Sequence, residues 1–197
     1  MARQHSNHGT HEAVEMRPAK ALNPTLHWQP LGALYPPASV MSWLADSGSL
    51  TRRLQRYGHF QVMPQYQEIA TPRAEESYLL GSEIRERSLI REVLLCLDGT
   101  PVVFARSILP LASLTGANRV LGHMAKRSLG AELFKAPKAT REQVWGAQLL
   151  LPASLSHLHH NELCWGRQSR FSKRGAPLLV SEIFLPALWQ RLNESLN

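Results

Sequence analysis

Two side chains of opposite charge interrupt apolar segments that are typical of β-strands. Arg91 lies within residues 88–96, and Glu182 lies within residues 177–186. Side chains two apart on a strand share one face, so each charge is expected to point into an apolar layer, where an unpaired ion is costly. The apolar neighbours expected on these faces are Leu89, Val93 and Leu95 around Arg91, and Leu178, Val180 and Phe184 around Glu182. The pattern indicates either one buried ion pair or an apolar pocket with an anion anchor at one end and a carboxyl group at the other.

A turn between two predicted strands brings in a second arginine. Asp98 and Gly99 are typical of a two-residue type I′ hairpin turn, and an apolar strand returns after them. With these residues at the turn, Arg91 lies directly opposite Arg106. Like charges opposite each other destabilise a sheet, so this register predicts negative charge between them, with Glu182 as one source and a bound carboxylate as another. A longer loop would instead place Arg106 on the other face.

Glu182 has two chemical roles open to it. In an apolar pocket the carboxyl group would be protonated and would donate a hydrogen bond, whereas near an arginine it would stay ionised and accept one. Either form suits a ligand hydroxyl or ether oxygen that faces it.

Two serines mark predicted helix starts. Ser49 precedes Leu50, and Ser128 precedes Leu129, each at the beginning of a helical segment. Free main-chain N–H groups at a helix N-terminus attract carboxylates. The two starts are therefore either parts of a carboxylate site, together with Arg91, or ordinary helix caps.

The composition is that of one globular domain with an excess of basic residues. The 197 residues suffice for one substantial core, and the formal net charge is +7. The basic residues are dispersed and form no recognition-helix, zinc-finger or stacking-platform pattern, so nucleic acid is not the expected partner. Positive potential can equally attract a small dianionic substrate. Two cysteines, Cys96 and Cys164, give no disulfide framework and favour the cytoplasm, and no segment has membrane-spanning length.

Two segments differ from the rest of the predicted domain. The polar residues of the N-terminal segment predict a mobile arm over residues 1–30, without the apolar stretch of a secretory signal, followed by one domain over residues 31–197. An insertion is predicted near residues 149–163. Its histidines, His157, His159 and His160, lack the spacing of a metal site, so a polar loop is favoured and no metal is expected.

In the rest of the domain, meandering strands alternate with short helices, which predicts an antiparallel α+β sheet. Strands are expected at residues 60–69, 88–96, 101–109, 141–151, 165–171 and 177–185. Pro64 predicts that its strand is an edge strand or contains a bulge. The sequence has no phosphate-binding glycine loop, G-x-S-x-G nucleophile motif or H-E-x-x-H metal motif.

Five collinear segments resemble the chorismate lyase (chorismate pyruvate-lyase) family. They are residues 89–99, 105–110, 129–134, 165–170 and 177–186, within a match that covers residues 35–187. The resemblance implies a monomeric, single-domain α+β enzyme whose antiparallel sheet is flanked by helices and whose ligand pocket is closed by helical flaps. It also implies elimination of pyruvate from chorismate to give tightly held 4-hydroxybenzoate for ubiquinone biosynthesis, with no cofactor or metal.

The resemblance also implies roles for individual residues. Arg91 corresponds to the arginine that binds the ring carboxylate, and Glu182 to the carboxyl group that faces the 4-oxygen; these are the expected catalytic residues. Leu50 and Leu129 match two further ligand-contact positions, although a methionine is expected at the first. Arg106 aligns with a family arginine, and the hairpin register above makes it a further expected ligand contact.

A different class of function shares the implied fold. Ligand-sensing domains of some bacterial transcription regulators resemble it, so a non-catalytic aromatic-acid (effector) binding domain is the alternative. Such domains normally follow a helix-turn-helix segment, and the residues before Pro30 are too few and too polar to form one.

Overall fold

An antiparallel β-sheet forms the centre of the computed structural model, which describes residues 28–81, 86–151, 155, 158 and 163–194. Within these residues the sheet has seven strands: β1 (Gln29–Pro30), β2 (Phe60–Ala70), β3 (Ser88–Leu97), β4 (Thr100–Pro110), β5 (Thr140–Leu149), β6 (Cys164–Lys173) and β7 (Ala176–Phe184). Their spatial order is β1-β5-β6-β7-β4-β3-β2, with every neighbouring pair antiparallel. The predicted α+β class is confirmed.

The helices are short and pack on both faces of this sheet. They are α1 (Ala38–Leu44), α2 (Leu50–Leu54), α3 (Ala74–Leu80), α4 (Leu129–Leu133) and α5 (Pro186–Glu194), with 3₁₀ turns at Leu31–Ala33, Leu111–Ser113 and Gly116–Gly122. None of the helices that the structure describes is both long and apolar enough to cross a membrane.

Every residue of β3 is buried because both faces of the sheet are covered. Val93 and Leu95 pack against α1 and α2, and Leu89 packs against α4. We call this side the site face, residues 38–54 the first cover and residues 111–134 the second cover. Ile90 points the other way and packs with Leu80 of α3 on what we call the back face.

The turn between β3 and β4 has the predicted geometry. Asp98 and Gly99 have φ values of 48° and 82°. Both values lie in the left-handed region that a type I′ turn requires. Leu97 pairs with Thr100 across the turn, as predicted.

A β-bulge then shifts the register by one residue. Cys96 pairs with Pro101 but Leu95 pairs with Val103, so Val102 is the extra residue. Proline has no N–H to donate to the ladder, and strand prolines are accordingly found at edges and bulges. The prediction for Pro64 is confirmed by the same logic, because β2 is an edge strand and is irregular next to Pro64.

The bulge makes the predicted Arg91–Arg106 pairing wrong. Arg91 lies opposite Ser107, and Arg106 lies opposite Glu92. Because a shift of one residue moves a side chain to the other face, Arg106 points to the back face.

The N-terminal edge of the sheet includes two residues of the predicted arm. Gln29 and Pro30, which the predicted arm included, pair with β5. Residues 1–27 lie outside the described residues, as do His157, His159 and His160 of the predicted insertion.

Candidate active site

Arg91 and Glu182 lie on the same face of the sheet, with β4 between their strands. Ser107 of β4 is opposite Arg91, and Ala105 is opposite Glu182. From ordinary strand spacing and rise, the two Cα atoms are about 12 Å apart. The sheet surface between the two charged groups therefore carries small side chains.

Arg91 is buried without a carboxylate partner among the described residues. Only 2% of the residue is exposed. Its Nη2 donates hydrogen bonds to the main-chain oxygens of Ala125 (2.8 Å) and Arg127 (3.1 Å) in the second cover. Its Nε is buried without a hydrogen-bond acceptor among the described residues. Burial lowers the pKa of Arg91, yet a guanidinium stays charged near neutral pH. A buried cation with an unused N–H is suited to an anionic ligand.

Glu182 pairs with Arg167, an arginine that was not among the predicted site residues. Arg167 is 0% exposed, and its Nε donates to Glu182 Oε2 at 2.6 Å. Its Nη1 donates to the main-chain oxygens of Trp43 and Asp46 in the first cover, both at 2.8 Å. A guanidinium donor stabilises the ionised carboxylate, so the geometry favours the acceptor form of Glu182.

The sequence did contain a signal for Arg167. Residues 165–171 and 177–185 are predicted strands with only five residues between them, and pairing them through a tight turn places Arg167 opposite Glu182. The structure has this register.

A third arginine, Arg141, lies close to this ion pair. It is opposite Phe171 across β5 and β6, and its Cζ is 5.0 Å from the centre of the Phe171 ring. Its Nη1 donates to the main-chain oxygen of Asp46, whereas its Nε is buried without an acceptor among the described residues. Burial and the charge of Arg167 lower the pKa of Arg141, and the charge of Glu182 opposes that shift. Arg141, Arg167 and Glu182 therefore form one electrostatic cluster.

Leu50 and Leu129 are the first residues of α2 and α4, as predicted. The Ser49 and Ser128 hydroxyls accept main-chain N–H groups of their own helices, which confirms both as N-caps. The two helix starts adjoin each other, because the hydroxyl oxygens of Thr51 and Ser128 are 2.5 Å apart. Both predicted ligand-contact positions are thus buried where the two covers meet.

Arg106 is not brought together with Arg91 and Glu182. On the back face its Nε donates to Glu76 Oε1 at 2.7 Å, its Nη2 to Glu76 Oε2 at 3.2 Å and its Nη1 to Glu92 Oε1 at 2.5 Å. Burial raises the pKa of Glu92, and the charge of Arg106 opposes this shift. Arg106 therefore ties α3 to the sheet through Glu76 and also pairs with Glu92 of the neighbouring strand. The register that suggested a ligand role for it is wrong.

The predicted site residues lie beneath the covers. Neither Arg91 nor Glu182 lines any of four clefts that open on the described surface. One of these clefts, of about 600 Å³, lies beside the second cover and is lined in part by Val62, Lys126 and Ser128. An enclosed pocket between Arg91 and Glu182 stays a prediction.

Two bacterial proteins are similar to this chain over most of its length. A protein of Alcanivorax borkumensis named "Probable chorismate pyruvate-lyase" is 58% identical over 178 residues, which are 90% of this chain and 84% of that protein. A protein of Thiobacillus denitrificans with the same name is 40% identical over 168 residues, which are 82% of this chain and 89% of that protein.

A solved structure shares the fold. The effector domain of PhnF from Mycobacterium smegmatis has a TM-score of 0.55 and 17% sequence identity, over 71% of this chain and 90% of that domain. The sequence model of the chorismate lyase family matches residues 22–194. This match, together with the two bacterial relatives, shows that the chain belongs to the chorismate lyase family.

Proposed function

We propose that this protein is a chorismate pyruvate-lyase, which eliminates pyruvate from chorismate and forms 4-hydroxybenzoate. Family membership supports the reaction. The observation that carries the proposal is the placement of Arg91 and Glu182 on one sheet face, across the small side chains of β4. Chorismate has a ring carboxylate at one end and a hydroxyl at the other, so its two polar ends match these two groups.

The reaction needs little covalent help because the ring becomes aromatic. The bond from a ring carbon to the enolpyruvyl oxygen breaks, and its electron pair goes to that oxygen. The neighbouring ring carbon, which bears the hydroxyl, loses its proton. The methylene carbon of the departing group gains a proton and becomes the methyl group of pyruvate. The protein contributes mainly orientation and exclusion of water.

Each site residue has a definite role in this proposal. Arg91 binds the ring carboxylate through its charge and its unused Nε, and Leu50 and Leu129 contact the ligand where the covers meet. Glu182, ionised beside Arg167, accepts a hydrogen bond from the hydroxyl at the 4-oxygen and takes up the proton that the hydroxyl-bearing ring carbon loses as the C–O bond breaks.

The finer features follow from the family resemblance. We propose that the 4-hydroxybenzoate enters ubiquinone biosynthesis and that the enzyme is a cytoplasmic monomer that needs no metal or cofactor. The two cysteines, Cys96 and Cys164, are both buried and too few for a disulfide framework, which is in keeping with a reducing compartment.

A non-catalytic aromatic-acid-binding module is the second candidate. The fold that the chain shares with the effector domain of PhnF favours it. Such a module would bind chorismate or 4-hydroxybenzoate and leave both unchanged.

Incubation of the purified protein with chorismate distinguishes these functions. A lyase gives many equivalents of pyruvate, matched by an equal amount of 4-hydroxybenzoate, in a coupled lactate dehydrogenase assay. Binding of chorismate by calorimetry without pyruvate release would overturn the lyase proposal in favour of the binding module.

A further inference from the structure

The proposed substrate carries a second carboxylate that the roles above leave without a partner. It belongs to the enolpyruvyl group, which is attached to the ring carbon next to the one that bears the hydroxyl. With the hydroxyl at Glu182, this carboxylate must lie near the Glu182 end of the site. Two negative charges in a buried site repel strongly, so a cation besides the partner of Glu182 is required there.

Arg167 is already committed to other groups. Its Nε donates to Glu182, and its Nη1 donates to two main-chain oxygens of the first cover. Its charge offsets that of Glu182, so the pair is close to neutral and offers a dianionic ligand no net attraction.

Arg141 has both the position and the unused donor. It is coupled electrostatically to Glu182 and Arg167, and its guanidinium lies over Phe171, which places it on the site face. The Asp46 carboxylate beside it pairs with Arg53 at 3.0 Å, so Arg141 meets only the main-chain oxygen of that residue. Among the described residues, the Arg141 Nε has no acceptor although it is buried.

We propose that Arg141 binds the enolpyruvyl carboxylate of chorismate and so distinguishes the dianionic substrate from the monoanionic product. This inference rests on the proposed lyase function. Substrate is held at both carboxylates, by Arg91 and by Arg141. After elimination the second carboxylate departs with pyruvate, and 4-hydroxybenzoate is held without Arg141.

A purely structural role makes a different prediction. If Arg141 only ties the Asp46 main chain to the sheet, its loss loosens the first cover for every ligand. The binding of substrate and the binding of product would then be weakened alike. If Arg141 binds the ligand directly, its loss weakens the binding only of a ligand that has the second carboxylate.

The experiment compares Arg141→Met with the wild type on three ligands. They are chorismate, by steady-state kinetics, and 4-hydroxybenzoate and the unreactive dianion 4-(carboxymethoxy)benzoate, by calorimetry. We expect kcat/KM for chorismate and the affinity for the dianion each to fall about 10- to 100-fold, as for a lost hydrogen bond between charged groups. The Kd of 4-hydroxybenzoate is expected to change by less than about threefold. Arg141→Lys should recover part of both losses.

Arg53→Met is the matched control, because Arg53 is an arginine of the first cover that also holds its main chain, at Ser42, and pairs with Asp46. This control variant is expected to lower kcat/KM for chorismate and the affinities for the dianion and 4-hydroxybenzoate only slightly and by equal factors. Equal losses for the dianion and 4-hydroxybenzoate in Arg141→Met, or an unchanged kcat/KM, would overturn the proposal. Arg141→Gln and Arg141→Lys carry the same comparison should the methionine variant not fold. A wild-type protein that releases no pyruvate would overturn the lyase function instead, and the two calorimetric ligands would still test Arg141.

Discussion

Arg91, Arg141 and Arg167 are all on the site face, and each donates to main-chain oxygens of a cover. Of these three, Arg167 has a carboxylate partner, Glu182. A buried cation without a counter-ion is destabilising, and an anionic ligand offsets that cost. The residues therefore differ in function although they are the same amino acid: Arg167 positions an acid, and the other two are available to bind anions.

Replacement of Arg91 by methionine should weaken the binding of both chorismate and 4-hydroxybenzoate. The two ligands share the ring carboxylate, so both should lose about 10- to 100-fold in affinity. Calorimetry with 4-hydroxybenzoate measures this directly, with Arg52→Met, an exposed arginine of α2, as the control. Unchanged affinity would mean that Arg91 only anchors the second cover.

Replacement of Glu182 by glutamine should lower kcat by about 10²- to 10⁴-fold, the usual contribution of a group that transfers a proton. Glutamine keeps the shape of the side chain but cannot take up or release the proton. Glu142→Gln is a suitable control, because Glu142 is 40% exposed and pairs with Arg170. Nearly full turnover by Glu182→Gln would leave Glu182 as a polar contact only.

At the scale of elements, the bulge in the β3–β4 hairpin decides which arginine belongs to the site. Without it, Arg106 would lie beside Arg91 on the site face; with it, Arg106 pairs with Glu76 and Glu92 on the back face. The edge strand or bulge predicted from Pro64 is found in the structure. Pro101 indicates a bulge in the β3–β4 hairpin for the same reason, because it too cannot donate a ladder hydrogen bond.

Replacement of Arg106 by leucine should destabilise the fold by about 3–5 kcal/mol, because it leaves two buried carboxylates without their cation. Urea denaturation measures this free energy. Arg170→Leu removes the more exposed pair with Glu142 and should cost less than about 1 kcal/mol. A folded Arg106→Leu protein with normal stability and weakened 4-hydroxybenzoate binding would instead restore the ligand role predicted from the sequence.

Local patterns predicted much of this architecture, and long-range pairing decided the rest. Alternation of apolar residues placed Arg91 and Glu182 on the faces that the structure shows, and the serine caps marked both helix starts. The partners of buried charges were harder to predict. Arg106 meets Glu76 only because α3 packs on the back face, and no local spacing encodes that contact.

At the scale of the whole molecule, the site lies between the sheet and two covers that its own arginines hold in place. Arg91 binds main-chain oxygens of the second cover, and Arg167 binds those of the first. Opening either cover breaks hydrogen bonds to a charged donor, which are stronger than neutral ones. Release of product from such a closed site is expected to be slower than the chemical step.

Rapid mixing with chorismate should therefore give a burst of about one equivalent of pyruvate, followed by a slower steady rate set by product release. Addition of 4-hydroxybenzoate before mixing should abolish the burst, because the occupied sites must first empty. Pyruvate release that is linear from the first turnover would show that chemistry limits the rate.

The contact between Thr51 and Ser128 joins the first turn of one cover to the cap of the other. This hydroxyl pair therefore joins the two covers beside Leu50 and Leu129, and we expect the covers to open together once the hydrogen bond breaks. Entry of substrate and escape of product would then share one opening event, so a change at Thr51 or Ser128 should alter both rates together.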